Sequence, residues 1–283
     1  MRIRVAAAVL SGAVVLSALA LPAAAQASER PGASTKLSSF APNTVRPNDS
    51  LGGVKFSDAV INGGKDIVLG VTTKKSVTVT YTATSSSGVA LTEAFLWQGT
   101  DSSNTDTITG GLGTDDDPAC TESTTETGVY SCTAVFNIDA AQDLKDNGVA
   151  GTWKLFLGAY DLYANASYND DVATTKIKKT SKLSVNATPE PVKKGKTITV
   201  TGKLTRANWN DGTYAGYKGQ KVKLQFRKKN SSTYTTLKTI TSGTGGALKT
   251  TTKATVDGYY RYSFSTNTST AASNATGDYV DVK

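Results

Sequence analysis

Aspartates and glutamates are the side chains best suited to chemistry in this sequence, because the chain contains no histidine. Without an imidazole, neither a Ser-His-Asp triad nor a Cys-His pair can be assembled. Histidine-based zinc and copper sites are excluded for the same reason, and no glycine-rich phosphate loop of the Walker or Rossmann type is present. The sequence contains no residue that we identify as catalytic, so we expect a protein that is not an enzyme.

Two stretches of the chain, 101–117 and 161–171, are rich in carboxylate and amide oxygens. Calcium takes about six to eight oxygen ligands of this kind. If both stretches lie at one end of a domain, each can complete the other's ligand set. The candidate calcium ligands are Asp115, Asp116, Asp117, Asp161, Asp170 and Asp171. No other cofactor is expected, and the alternative is that these acidic loops only keep the domain soluble.

Paired carboxylates leave a second alternative open. Two of them, about 5–10 Å apart across a cleft, suffice for a polysaccharide hydrolase, and the aspartates at 115–117 and 170–171 are the ones to consider. A third alternative is a secreted effector or inhibitor that binds another protein. A small sandwich offers little cleft, so the sequence favours passive binding over hydrolysis.

The first residues predict export from the cell. Arg2 and Arg4 precede an apolar run over 5–21, Pro22 ends that run, and Ala25-Gln26-Ala27 offers a small-x-small cleavage site. This arrangement is typical of a secretory signal peptide, and the run is shorter than the roughly 20 residues of a membrane span. The expected segments are a signal peptide over 1–27 and an irregular leader over 28–50.

Cysteine usage agrees with export. Cys120 and Cys132 are the only cysteines in the chain. An even number in an exported protein indicates a disulfide, so we predict one bridge between them. The short loop that it closes predicts a stabilisation of roughly 3 kcal/mol.

Apolar residues that alternate with polar ones predict strands through most of the chain. The clearest examples are 76–84, which reads SVTVTYTAT, and 259–265, with Tyr260, Tyr262 and Phe264 on one side. About seven such segments lie on each side of a basic stretch at 176–182, a pattern typical of an immunoglobulin-like sandwich. We therefore predict an all-β protein with two tandem immunoglobulin-like β-sandwich domains after the signal peptide. Their expected bounds are 51–179 and 180–283.

The two expected domains differ in charge. Lys and Arg number 9 against 18 Asp and Glu over 28–171, but 20 against 5 over 172–283, which gives net charges of −9 and +15. Lys221, Lys223, Arg227, Lys249 and Lys253 alternate with apolar residues, so we expect them on one cationic sheet face that binds an anionic polymer. The candidate polymer-binding residues are Trp209, Tyr214, Tyr217, Lys221 and Lys223. Alternatively, the aromatic rings cap the core and the lysines are only solvated.

Four short motifs stand out in the C-terminal half. They are Pro191-Val192-Lys193-Lys194-Gly195, Val200-Thr201-Gly202-Lys203-Leu204, Lys223-Leu224-Gln225-Phe226-Arg227 and Asp257-Gly258-Tyr259-Tyr260-Arg261. Together they resemble the immunoglobulin-like module of exported proteins from Streptomyces-type actinobacteria, over roughly 182–283. The resemblance implies a fold and an extracellular compartment, and it supplies no catalytic residues. Some relatives are labelled calcium-binding, and many carry no functional label.

The sequence as a whole predicts a non-catalytic secreted protein with a binding or structural role. The expected partner is an anionic cell-wall polymer or another extracellular protein. The sequence allows both a freely secreted protein and one that is associated with the cell wall. Nucleic acid is not an expected partner because the chain is exported, and no stable membrane span is expected. Neither the ligand nor the oligomeric state follows from the sequence.

Overall fold

The computed structural model describes residues 53–283, so the predicted signal peptide and leader lie outside the described residues. The all-β prediction is confirmed, because strands account for most of the regular structure in this part of the chain. These strands form four sheets, two built before Thr180 and two after it. No helix in the described part is long and apolar enough to cross a membrane.

The first sandwich contains nine strands and a single-turn helix, α1, between β7 and β8. The elements are β1 (Lys55–Ile61), β2 (Ile67–Leu69), β3 (Lys74–Thr84), β4 (Leu91–Gly99), β5 (Ile108–Gly113), β6 (Ala119–Glu122), β7 (Val129–Asp139), α1 (Ala140–Asp143), β8 (Gly151–Tyr160) and β9 (Ala166–Lys179). One sheet has the order β1-β3-β7-β6 and the other β2-β9-β8-β4-β5. The first order is the ABED sheet of an immunoglobulin domain, and the second is the CFG sheet with one strand added at each edge.

Period-two alternation explains how these strands pack. In β3, Val77, Val79, Tyr81 and Ala83 are buried, while the residues between them are half-buried or exposed. Successive side chains of a strand point to opposite faces, so this alternation places one apolar face against the core of the sandwich. The Tyr81 hydroxyl, buried with that face, donates a hydrogen bond of 2.7 Å to Thr92.

The sheet that contains β4 and β8 is buried on both faces. Leu96 and Leu155 belong to the main core, whereas Phe95, Trp97 and Phe156 form a separate buried cluster with Tyr168. Adjacent residues of a strand cannot share a face, so this second cluster lies on the side of the sheet that is turned away from the core. A continuous apolar run in the sequence is typical of a strand buried on both sides.

The second sandwich contains the remaining ten strands. They are β10 (Ser181–Leu183), β11 (Asn186–Thr188), β12 (Thr197–Asn208), β13 (Thr213–Gly216), β14 (Lys221–Lys228), β15 (Thr235–Thr241), β16 (Ala247–Lys253), β17 (Gly258–Phe264), β18 (Ser273–Asn274) and β19 (Asp278–Val280). One sheet is centred on β12, which pairs with β10, β11, β13 and β16. The other has the order β15-β14-β17-β18, with β19 also paired to β17. Its core contains Val200, Leu224 and Tyr262 among other apolar residues.

Three expectations about individual segments were wrong. Asp170 and Asp171 lie within β9 rather than in a loop. The polar stretch after Trp97 contains β5, which pairs with β4. Lys249 and Lys253 are on β16, in the sheet centred on β12, and therefore do not share a sheet with Lys221 and Lys223. The cause in each case is a strand pairing that the local alternation does not encode: β5 and β9 each pair with the strand before them, and β16 pairs with the distant β12.

The two sandwiches meet closely, because a single residue, Thr180, separates β9 from β10. Ala207 lies near the end of β12 in the second sandwich, and Trp209 directly follows that strand. Both side chains nevertheless pack in the core cluster of the first sandwich. The indole N–H of Trp209 donates a hydrogen bond of 3.0 Å to the Gly70 carbonyl. These contacts couple the sandwiches through buried apolar surface rather than through a flexible linker.

Candidate functional site

The Asp161 carboxylate is enclosed by its own loop. It accepts hydrogen bonds from the backbone N–H groups of Tyr163 and Asn165, both at 2.9 Å, and from the Asn165 side chain. These bonds, the Asn165 side-chain bond first, hold the pKa of Asp161 below its usual value. The residue is buried, so its oxygens serve the turn that joins β8 to β9.

The other candidate calcium ligands lie in two different parts of the first sandwich, between β5 and β6 and within β9. The aspartates at 115–117 are exposed between β5 and β6, and Asp115 accepts a hydrogen bond from the Asn137 side chain on β7. Asp170 on β9 accepts a bond of 2.9 Å from Ser102. In the part of the chain that the structure describes, no three acidic side chains lie close enough together to hold one metal ion.

The aromatic residues of the 207–219 segment do not form one exposed surface. Trp209 is buried at the junction of the sandwiches, with only 5% of its surface exposed. Tyr217 packs edge-on against Phe264 of the second core. The ring of Tyr214 lies 3.6 Å from the amine of Lys182. The structure therefore places these three rings apart from Lys221 and Lys223 on β14.

A different set of residues forms a continuous cationic and aromatic surface. It lies on the outward face of the sheet formed by β14, β17 and β19, opposite the core residues Tyr260 and Tyr262. We call it the arginine–tyrosine face. Its members are Arg227, Lys229, Tyr234, Tyr259, Arg261 and Tyr279.

Strand register brings these residues together. Arg227 on β14 is paired with Tyr259 on β17, and Tyr259 is paired with Tyr279 on β19. Directly opposed side chains of antiparallel strands lie about 4.5–5.5 Å apart. Arg261 is two residues from Tyr259 on the same strand and shares its face, so the arginines and tyrosines interleave across three strands.

The two guanidinium groups are stacked on tyrosine rings. Arg227 lies 3.8 Å from the ring centre of Tyr259, and Arg261 lies 3.7 Å from that of Tyr234. The Arg227 guanidinium also donates to the Ser231 carbonyl at 2.9 Å, and the Arg261 Nε donates to Gln225 at 2.9 Å. A guanidinium has five N–H donors, so both retain donors that these bonds do not use.

Acidic residues neutralise only one edge of the arginine–tyrosine face. Asp257 lies 3.9 Å from the amine of Lys229. Its pKa is held below the usual value, first by the Val282 backbone N–H and then by the Tyr279 hydroxyl. Within residues 53–283, no carboxylate lies at ion-pair distance from Arg227 or Arg261. The centre of the face is thus cationic.

The sequence contained part of the signal for this face. The alternation in 221–227 correctly placed Lys221, Lys223 and Arg227 on one side of β14. In β17 the same alternation put Tyr260, Tyr262 and Phe264 in the core, which assigns Tyr259 and Arg261 to the opposite side. Tyr234 and Tyr279 could not be added, because their proximity depends on the pairing of distant segments.

No protein-family model matches the chain, and no curated protein matches it. Solved structures align with it at low similarity. The Yersinia pseudotuberculosis adhesin InvE is 16% identical over 81% of this chain and 60% of its own, with a TM-score of 0.26. The D00-D0 domain of intimin is 18% identical over 79% of this chain and 99% of its own, with a TM-score of 0.25.

Three N-terminal domains of the bacteriophage RB49 outer capsid protein Hoc are 11% identical over 81% of this chain and 71% of their own, with a TM-score of 0.31. The chain spans less than two thirds of the InvE structure. All three TM-scores are low, and the immunoglobulin-like class of the first sandwich rests on its own strand order.

Proposed function

We propose that this protein is a non-catalytic extracellular binding protein, and that the arginine–tyrosine face of its second sandwich binds an anionic polymer of the cell envelope. The observation that carries the proposal is the pair of guanidinium groups, each stacked on a tyrosine ring and without a carboxylate partner in the described part of the chain. Arginine matches the planar geometry of phosphate and carboxylate through paired N–H donors.

The electrostatics of the second sandwich support the same proposal. Residues 172–283 carry 20 basic against 5 acidic side chains, and a field of one sign concentrates a polyanion near the surface. Stacking on tyrosine holds each guanidinium in place, which reduces the side-chain entropy that binding costs. The apolar ring surfaces would also lie against sugar or polyol backbones of the polymer.

Cosedimentation with purified cell wall tests the proposal. Wall that retains its phosphate polymers, such as teichoic acid, is compared with wall from which they have been stripped. We expect the mature chain to bind the first preparation at low salt and to be released by about 0.5 M salt, because ion pairs with the polymer are screened.

Two charge-matched variants make the test specific. R227A/R261A removes two charges from the arginine–tyrosine face, and K249A/K253A removes two exposed charges from β16 in the other sheet. We expect the first pair to weaken binding at least about tenfold, as the loss of two charge-assisted contacts implies, and the second to weaken it far less. Equal losses would indicate nonspecific attraction, and no binding by the unaltered chain would reject the proposal.

The alternatives to this proposal are a hydrolase, a calcium-binding protein, a spacer and a protein-binding effector. A hydrolase needs two carboxylates placed across a cleft, whereas Asp115 and Asp170, from the two acidic runs considered for it, each accept a hydrogen bond from a neighbouring side chain. Calcium binding by the first sandwich stays a hypothesis, which isothermal titration with calcium and melting in the presence of a chelator would test. A role as a spacer or as a protein-binding effector becomes the preferred explanation if the cell-wall experiment fails.

A further inference from the structure

Lys179, the last residue of β9, is a buried amine at the junction of the sandwiches. Only 1% of its surface is exposed. Its Nζ donates a hydrogen bond of 2.5 Å to the side-chain oxygen of Asn147 and lies 5.2 Å from the ring centre of Trp209. A carbonyl bond is about 1.23 Å long, so the amine nitrogen is less than about 3.8 Å from the carboxamide carbon of Asn147.

The surroundings of Lys179 favour its uncharged form. Its pKa is lowered to about 8, first by burial and then by the nearby Arg206, and Asp146 opposes them only in part. The neighbouring Lys178 differs, because its amine forms an ion pair of 2.7 Å with Asp66. A desolvated lysine with a reduced pKa is a nucleophile near neutral pH, since its neutral amine is substantially populated.

Hydrogen bonds hold the side-chain carboxamide of Asn147 in place and polarise its carbonyl group. Its oxygen accepts a second hydrogen bond, of 3.0 Å, from the backbone N–H of Trp209. Its nitrogen donates to the side-chain oxygen of Asn208. Donors aimed at a carbonyl oxygen stabilise the negative charge that develops there during nucleophilic attack. The Trp209 N–H is thus placed to stabilise this charge, and the Lys179 amine lies beside the same carbonyl group.

We propose that Lys179 and Asn147 join in an intramolecular isopeptide bond. The Lys179 nitrogen attacks Cγ of Asn147, and the electron pair of the C=O bond moves to the oxygen beside the Trp209 N–H. When the carbonyl re-forms, the C–N bond to the side-chain nitrogen breaks, and that nitrogen leaves as ammonia with a proton from the lysine. Starting from a lysine ammonium, the products are the secondary amide and an ammonium ion, so charge and atoms balance without a co-reactant.

The bond would connect two parts of the chain that the fold already brings together. Asn147 begins the short turn before β8, and Lys179 is the point at which the chain leaves the first sandwich for the second. A covalent link here closes the first sandwich next to the Trp209 contact. A mechanical force transmitted through the second sandwich would then be resisted by a covalent amide bond as well as by hydrogen bonds.

Intact mass spectrometry of the purified mature chain under reducing conditions tests the proposal. We expect a mass about 17 Da below that of the reduced sequence, because acyl transfer to the lysine releases one ammonia. A tryptic digest of the same sample should contain a branched peptide in which the segments around Asn147 and Lys179 are joined. This second measurement uses the unaltered chain, so it does not depend on any variant folding.

The dipeptide Asn147-Gly148 offers a competing reaction, attack by the backbone nitrogen to give a succinimide of the same mass loss. K179R separates the two reactions, because it removes the amine and leaves Asn147 and Gly148 intact, while K178R is the matched control at the neighbouring lysine. The proposal requires that the loss disappear in K179R and persist in K178R. An unmodified mass, a loss that persists in K179R, or conversion of Asn147 to aspartate without a branched peptide would each overturn it.

Discussion

At the scale of single residues, the role of a charged side chain depends on the groups to which it is hydrogen-bonded or against which it packs. Asp161 and Asp257 both have a pKa below the usual value, because the Asn165 side chain donates a hydrogen bond to the first and the Val282 backbone N–H donates one to the second. Arg227 and Arg261 instead stack on tyrosines. The acidic and basic residues thus take opposite roles, since the first stabilise turns and the second keep donors available for a ligand.

Asp161 gives a prediction about pH. Its folded-state pKa is lowered, so its contribution to stability is complete above the unfolded pKa of about 3.9 and is lost as the pH falls through the folded value. We expect D161N to melt at a lower temperature than the unaltered chain at pH 7, and we expect this difference to shrink below about pH 4. The measurement is the melting temperature of both proteins from pH 7 to pH 2.5, by circular dichroism.

D116N, which removes an exposed aspartate from the other acidic stretch, is the control for loss of one negative charge. A deficit in D161N that stayed constant from neutral to acid pH would contradict the role assigned to the ionised carboxylate.

At the scale of elements, the Cys120–Cys132 disulfide is the feature that the sequence predicted and the structure confirmed. It joins directly paired residues on β6 and β7, within one sheet, whereas the bridge of antibody domains connects the two sheets. It therefore secures the edge strand β6 after the long acidic segment to the buried Cys132 of β7.

Removing this bridge should weaken the first sandwich without unfolding it. The chain-entropy model gives about 3 kcal/mol for a loop of this length. We expect C120S/C132S to lose roughly 2–3 kcal/mol of unfolding free energy in urea. Reduction of the unaltered chain should produce a similar loss, and reduction of the variant should produce none. A loss much above about 5 kcal/mol would show that the bridge supports the core itself.

At the scale of the whole molecule, the junction determines whether the two sandwiches act as one body. Trp209 fills a position in the first core although it follows β12 of the second sandwich. Its backbone N–H donates a hydrogen bond to Asn147, whose side chain is also bonded to Lys179 and Asn208. A shared core of this kind makes the unfolding of one sandwich expose apolar surface of the other.

W209A tests this coupling. Truncation of a buried tryptophan costs about 3–5 kcal/mol, and here the loss falls on the contact between the sandwiches. We expect the unaltered chain to unfold in one calorimetric transition and W209A to unfold in two. L237A, at a surface position on β15, should keep the single transition. One shared transition in W209A would mean that other contacts are sufficient for the coupling.

Much of the fold could be predicted because alternation is a local property. The buried residues of β3 and β17 were predicted from their period of two and are confirmed. Predictions were weaker wherever a segment's environment depends on a distant strand. Trp209 was considered for an exposed binding surface, yet it is buried, because Gly70 and the end of β9 lie against it.

The candidate site shows the same division. The side of β14 that carries Arg227 follows from its sequence neighbours, but the rings that lie against Arg227 come from β17 and from the segment before β15. Calcium binding by the acidic stretches stays a prediction. The aspartates named for it lie in three places, between β5 and β6, directly after β8 and within β9.

The amino-acid sequence alone determined that the chain is all-β, which side of each regular strand is apolar, and that its two cysteines form a bridge. Only the tertiary structure decided that Lys179 meets Asn147 and that arginines and tyrosines from several strands form one surface. The physical reason is that the orientation of a side chain depends on a few neighbouring residues. Its contacts depend on which strands pair, and this is settled by burial summed over the entire molecule.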